Sequence, residues 1–78
     1  MPVRIVIAEN QTSVEVALED LPVNVPESGS VNITDTAPFW LIQESVSLQA
    51  AINNDEILIN NGTSTLTKQG SLSYLWPS

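Results

Sequence analysis

Apolar and polar residues alternate along most of this chain, and the alternation predicts strands first. Val3, Ile5 and Ile7 share one parity, with Arg4, Val6 and Ala8 on the other. Both parities are largely apolar, the pattern of a strand covered on both faces or paired into an interface. Glu9-Asn10-Gln11-Thr12 is a polar turn. Val14, Val16 and Leu18 then alternate with Glu15, Ala17 and Glu19, a half-buried strand with an acidic, solvated face. Together these runs predict a β-hairpin from about Val3 to Glu19.

A breaker zone follows. Pro22 and Pro26 bracket Val23-Asn24-Val25, and Glu27-Ser28-Gly29-Ser30 is a cluster of turn residues. Proline cannot donate to a ladder, so this stretch reads as loop or edge strand. Ser30 to Thr34 puts Val31 and Ile33 on one face as a third strand, ended by Asp35-Thr36-Ala37-Pro38. Phe39-Trp40-Leu41-Ile42 is the densest apolar run, and at this length periodicity fits a strand or the first turn of a helix equally.

The period changes after Gln43. Leu48, Ala51 and Ile52 fall at i, i+3 and i+4, which predicts a helix over about Ser45–Asn54. Ser45 or Ser47 can cap its first turn, and Asn53-Asn54 suits an exit that needs the left-handed conformation. Two turns of helix are not stable alone and must be held by packing. Alternation returns at Ile57 and Ile59, and Asn61-Gly62 is the sequence of a type I′ turn. A second hairpin is therefore expected over about Glu56–Thr67. Lys68-Gln69-Gly70 reads as a turn, and Ser71 to Trp76 as a last strand or a docking tail with Leu72, Tyr74 and Trp76 on one parity. The expected fold is mainly β with one short α-helix, an α+β domain built on a small antiparallel sheet or sandwich. It divides into a β-rich half over 1–37 and a helix-plus-hairpin module with its tail over 38–78.

Size makes this domain marginal. A chain of 78 residues buries only about 60% of its unfolded surface, and such a core rarely supplies more than about 3–5 kcal/mol without a staple. Cys and His are both absent, so disulfides and the usual metal ligands are not available. Oligomerisation, or docking on a larger body, is the remaining common staple. Charged residues make up only 14% of the chain, and a neutral polar surface suits a protein whose faces meet other protein; compositional drift in an acidic proteome explains it equally.

Charge narrows the partners. The only cations are Arg4 and Lys68, and the net charge is −7. Phosphate backbones and anionic membrane surfaces both call for clustered Lys and Arg, so neither nucleic acid nor membrane is expected as a partner. No apolar run approaches the length of a membrane span. The opening MPVRIVIAE has too short an apolar stretch for a signal peptide, so use without secretion is expected. The sequons at Asn10, Asn32 and Asn61 matter only in a secretory pathway.

Candidate chemistry is sparse. Asp55-Glu56 and Glu19-Asp20 are adjacent carboxylates, but no loop carries the ligand spacing that Ca²⁺ requires, and solvated turns explain both pairs. A nucleophilic Ser or Thr lacks a His base, and Lys68 is the only lysine. The three glycines are not in phosphate-loop spacing. No catalytic residue, metal site or cofactor is expected, and an enzymatic role survives only as a subunit lending residues to a shared site.

The segments Leu48-Gln49-Ala50-Ala51-Ile52, Ile57-Leu58-Ile59-Asn60-Asn61-Gly62-Thr63 and Leu66-Thr67 together resemble the "LQxAI…dIxLndGtxxLt" stretches of small structural proteins of tailed bacteriophages. The resemblance is confined to Leu48–Thr67, and Asn54 or Asp55 stands where the pattern has Gly. It encodes a helix plus hairpin and no chemistry. It implies a non-enzymatic virion component, assembled in the host cytoplasm: a capsid-decoration, neck, baseplate or fibre-base subunit. Its partners would be copies of itself and other virion structural proteins. Phe39, Trp40, Tyr74 and Trp76 are the expected interface anchors, with Ile5 and Ile7 on a first strand able to add to a partner sheet by its edge. A small acidic cellular module recognising a protein or peptide is the alternative.

Overall fold

The computed structural model describes residues 4–77. The elements in order are β1 (Ile7–Asn10), β2 (Val16–Leu18), β3 (Val23–Val25), β4 (Ser30–Asn32), a 3-10 turn (Ile33–Asp35), α1 (Phe39–Ile42), α2 (Val46–Asn53), β5 (Ile57–Asn60) and α3 (Lys68–Leu75). Five strands form two antiparallel sheets, β4-β1-β5 and β2-β3. The strand-rich α+β class is the expected one. The accessible surface, 4588 Å², is that of a folded chain of this mass.

The hairpin expected over Val3–Glu19 does not form. Val3 lies outside the described residues, but β1 is the central strand of its sheet and β2 pairs with β3 instead. Asn10 is the reason. Its Nδ2 donates to the carbonyls of Val14 (2.7 Å) and Val25 (3.1 Å), and its Oδ1 accepts from the Thr12 N–H (2.8 Å) and hydroxyl (2.7 Å). The backbone stays in the ladder on both sides: Asn10 N–H reaches the Gly29 carbonyl and Gln11 N–H the Glu56 carbonyl, each at 2.8 Å. The polar stretch is thus the wrapped end of a central strand, and the chain crosses to the second sheet. Val14, expected on a buried face, is left exposed in this crossing. With β4 and β5 on either side, β1 has no free edge over Ile7–Asn10, which overturns the edge-addition role expected of the first strand.

Pro22 and Pro26 do flank a strand. Among the described residues β3 pairs with β2 alone, so the prolines stand where no second ladder is lost. Val16 faces Val25, Leu18 faces Val23, and these side chains join Val6, Ala8, Ile33, Ile57 and Ile59 in one core.

The helix α2 matches its sequence pattern. Leu48, Ala51 and Ile52 are the buried stripe, and the Ser45 hydroxyl accepts from the Leu48 N–H at 3.1 Å. Its exit is a Schellman motif: Glu56 N–H returns to the Ala51 carbonyl (2.9 Å) and Asp55 N–H to the Ile52 carbonyl (3.1 Å). The left-handed residue is Asp55 (φ 62°), one place beyond the expected Asn pair. Asp20, from the loop after β2, adds a second cap. Its Oδ2 accepts from the N–H groups of Val46 (2.8 Å) and Ser47 (3.0 Å), and its Oδ1 from the Ser47 hydroxyl (3.0 Å).

The Ser47 N–H, then its hydroxyl, hold the Asp20 carboxyl below its ordinary value of 3.8. A carboxyl lowered in the folded state stabilises above its unfolded pKa, and that contribution disappears as pH falls through the folded value. Asp20→Asn is therefore expected to lower the thermal midpoint at pH 7, with the gap to wild type closing well below pH 3.8. Melting both proteins at the two pH values checks this; a gap that persists in acid contradicts it.

The second hairpin shrinks to a strand and a single bridge, Asn60↔Thr65. The Asn60 side chain accepts from the Gly62 N–H and Asn61 from the N–H groups of Thr63 and Ser64, so the loop is closed by side chains. Of the Asn61-Gly62 pair only Gly62 has positive φ, at 97°, so the turn is not type I′. Ile5 covers Gly62 so closely that a Cβ there would lie 3.1 Å from its Cδ1.

The largest departure is α3, a helix where a strand or tail was expected. Thr67 caps it by accepting from the Gly70 N–H at 3.0 Å, and Ser71 and Leu75 are buried one turn apart. Helix α3 packs on the body of the domain through Ser71 and Leu75; Ser78 lies outside the described residues.

Candidate interaction surface

The single turn α1 buries Ile42 in the core, half-buries Phe39 and leaves Trp40 and Leu41 exposed. Phe39 and Tyr74 meet edge to face with ring centroids 6.1 Å apart. The Arg4 guanidinium lies 5.1 Å from the Phe39 centroid and 5.6 Å from that of Tyr74. Such contacts hold a cation by the ring quadrupole. Arg4 Nη1 also donates to the Tyr74 carbonyl (3.2 Å), and the Tyr74 hydroxyl donates to the Ile5 carbonyl (2.9 Å). The segment before β1 and the end of α3 are clasped together.

A second clasp lies beside it. Trp76 Nε1 donates to the Gln43 carbonyl at 2.6 Å, and Gln43 Nε2 donates to the Leu75 carbonyl at 2.7 Å. The residue after α1 and the end of α3 satisfy each other reciprocally. Phe39, Tyr74 and Trp76 are half-buried in consequence and pack on the core.

Trp40 is different. It is 62% exposed, with exposed Leu41 beside it and exposed Val46 at the start of α2. The fold thus joins Ile5, Phe39 and Tyr74 in one cluster, sets Trp76 on the adjoining α1–α3 contact, and leaves Trp40 outward. Ile7 stands apart, half-buried on the outer face of the sheet between Asn32 and Asn60. Sequence reasoning missed Arg4 and Gln43. Arg4 meets its partner across 70 residues of chain, a proximity no local pattern encodes.

Other features offer less. A cavity of about 420 Å³ lined by Glu9, Asn10, Gln11, Ser28, Gly29 and Ser30 opens at the far end of β1. The Glu9 carboxylate is already occupied by the Asn60 amide (2.9 Å) and the Thr65 hydroxyl (2.8 Å). Among the described residues no group of three or more His, Cys, Asp or Glu is placed to hold a metal ion. No helix there is long and apolar enough to cross a membrane. Lys68 pairs with Asp55 at 3.3 Å, with both side chains largely in solvent, a contact that contributes little.

Comparison of the chain with protein-family models, with curated proteins and with solved structures finds no match.

Proposed function

We propose that this chain is a non-enzymatic assembly protein of a tailed-phage particle, working by packing on copies of itself and on neighbouring structural proteins of the virion. The observation that carries the reading is Trp40. An indole left 62% exposed has no role in the core, and its neighbours are tied to the rest of the fold: Phe39 contacts Arg4 and Tyr74, and Gln43 accepts from Trp76. Tryptophan on a preorganised base is the side chain most enriched among residues that dominate binding energy. The resemblance of Leu48–Thr67 to phage structural proteins supplies the particle, as a decoration, neck, baseplate or fibre-base subunit. A peptide-binding cellular module would want an aromatic groove, and the cavity beside β1 has no aromatic residue in its lining.

Trp40→Ser tests this reading. The side chain removed lies mostly in solvent, so far-UV circular dichroism and a cooperative thermal transition are expected to be retained. The mean mass in light scattering at equal concentration is expected to fall. Equal masses for the two proteins across a dilution series would remove Trp40 from any assembly contact.

A further inference from the structure

The two edges of the three-stranded sheet are treated differently. At the β5 edge, the outward N–H of Ile59 donates to the buried Ser71 hydroxyl (2.9 Å), and its carbonyl accepts from the Leu66 N–H (2.7 Å). That edge is closed by α3 and the segment leading to it. Among the described residues no strand lies against the β4 edge. Ile33 N–H reaches the Val6 carbonyl and Asn10 N–H the Gly29 carbonyl. These bonds make Ile7↔Asn32 and Glu9↔Ser30 the non-hydrogen-bonded pairs of the ladder. The N–H and C=O groups of Ser30 and Asn32 therefore point away from β1. Unpaired edge groups are a template for another strand.

We infer that β4 is a self-pairing edge, joining a second copy of this chain through its own β4 in an antiparallel two-fold contact centred on Val31. In that register Ser30 of one copy and Asn32 of the other form hydrogen-bonded pairs, so every outward group of the strand is satisfied. Val31, half-buried on the core side of the sheet and packed against the core, meets its counterpart and closes the core across the axis. The Pro26–Gly29 turn and the 3-10 turn at Ile33 leave an edge three residues long, the length of β4 itself. Charge also favours self-pairing at this place. Residues 28–34 carry no charged side chain in a chain of net charge −7. The edge also lacks the Lys or Pro that natural edge strands use as guards. An isologous contact of this kind closes on itself. It deepens the assembly reading but uses a different surface from Trp40.

The test is amide exchange and mass on the intact chain over a concentration series up to about 1 mM, the range for a small, transient interface. The Ser30 and Asn32 amides are expected to exchange at least ~10-fold more slowly at the top of the series than at the bottom, while the Ile59 amide is protected throughout. Added salt is expected to strengthen the pairing by screening the like charges of the two chains. Ser30→Pro removes an outward donor and no ladder donor, so the variant is expected to stay folded and lose the concentration dependence. Ser30→Lys serves if the proline variant does not fold. Concentration-independent exchange at Ser30 and Asn32 overturns the proposal, as does a folded Ser30 variant that pairs like wild type. Mass lost in Trp40→Ser but kept in the Ser30 variants overturns the β4 contact and leaves the Trp40 reading standing. Protection at Ser30 and Asn32 retained in Trp40→Ser, together with a mass equal to wild type, does the reverse.

Discussion

Asn10→Leu is expected to abolish cooperative folding. The leucine branches at Cγ as asparagine does, but Asn10 is 5% exposed and its amide serves Val14, Val25 and Thr12 together. Each buried group left unpaired costs about 1–3 kcal/mol. A core of this size rarely holds more than about 3–5 kcal/mol in reserve. The same side chain determines where the chain leaves one sheet for the other, so the loss falls on topology as well as on energy. Urea titration followed by circular dichroism checks it. The expected result is a broad, early or absent transition; a sharp transition within about 1 kcal/mol of wild type would mean that the loop closes without the amide.

Leu75→Ala is the second large effect. Leu75 is the one fully buried apolar side chain of α3, and truncating such a leucine costs about 2–5 kcal/mol. The helix has little else to hold it: Gly70 weakens its first turn, and its other buried residue is Ser71. With α3 loosened, Ile59 loses the Ser71 hydroxyl and the β5 edge opens. The variant is expected to show a red-shifted Trp76 emission, faster exchange of the Ile59 amide and a rising tendency to aggregate as an unguarded edge forms. An Ile59 amide as protected as in wild type would show that α3 does not depend on Leu75.

The parts of the fold that were legible in sequence are those with local causes. The α2 helix has its serine cap and its i, i+3, i+4 stripe where the spacing put them, and its left-handed exit falls one residue later, at Asp55. The prolines around β3 mark an edge strand. The errors came from ties that a local pattern cannot break. Residues Leu72, Tyr74 and Trp76 have strand parity, but Leu72, Leu75 and Trp76 have helical spacing behind a Thr67 cap, and burial of Ser71 and Leu75 decided for the helix. The Val3–Glu19 alternation fitted a hairpin, yet the side chain of Asn10 carried the chain elsewhere. Four of the proposed anchors gather where α1 meets α3 and the first segment. Ile7 does not, because its strand is central and both of its neighbours are polar. Arg4 could not be seen in sequence as a partner for Phe39 and Tyr74, since only the closed fold brings its ends together.

The most direct test of the central claim is the mass of the purified protein in solution. Light scattering across a dilution series, with circular dichroism on the same samples, gives association and folding together. An assembly protein is expected to show a defined oligomer that dissociates on dilution. A fully folded single chain of 8.4 kDa at every concentration would contradict the self-assembly reading.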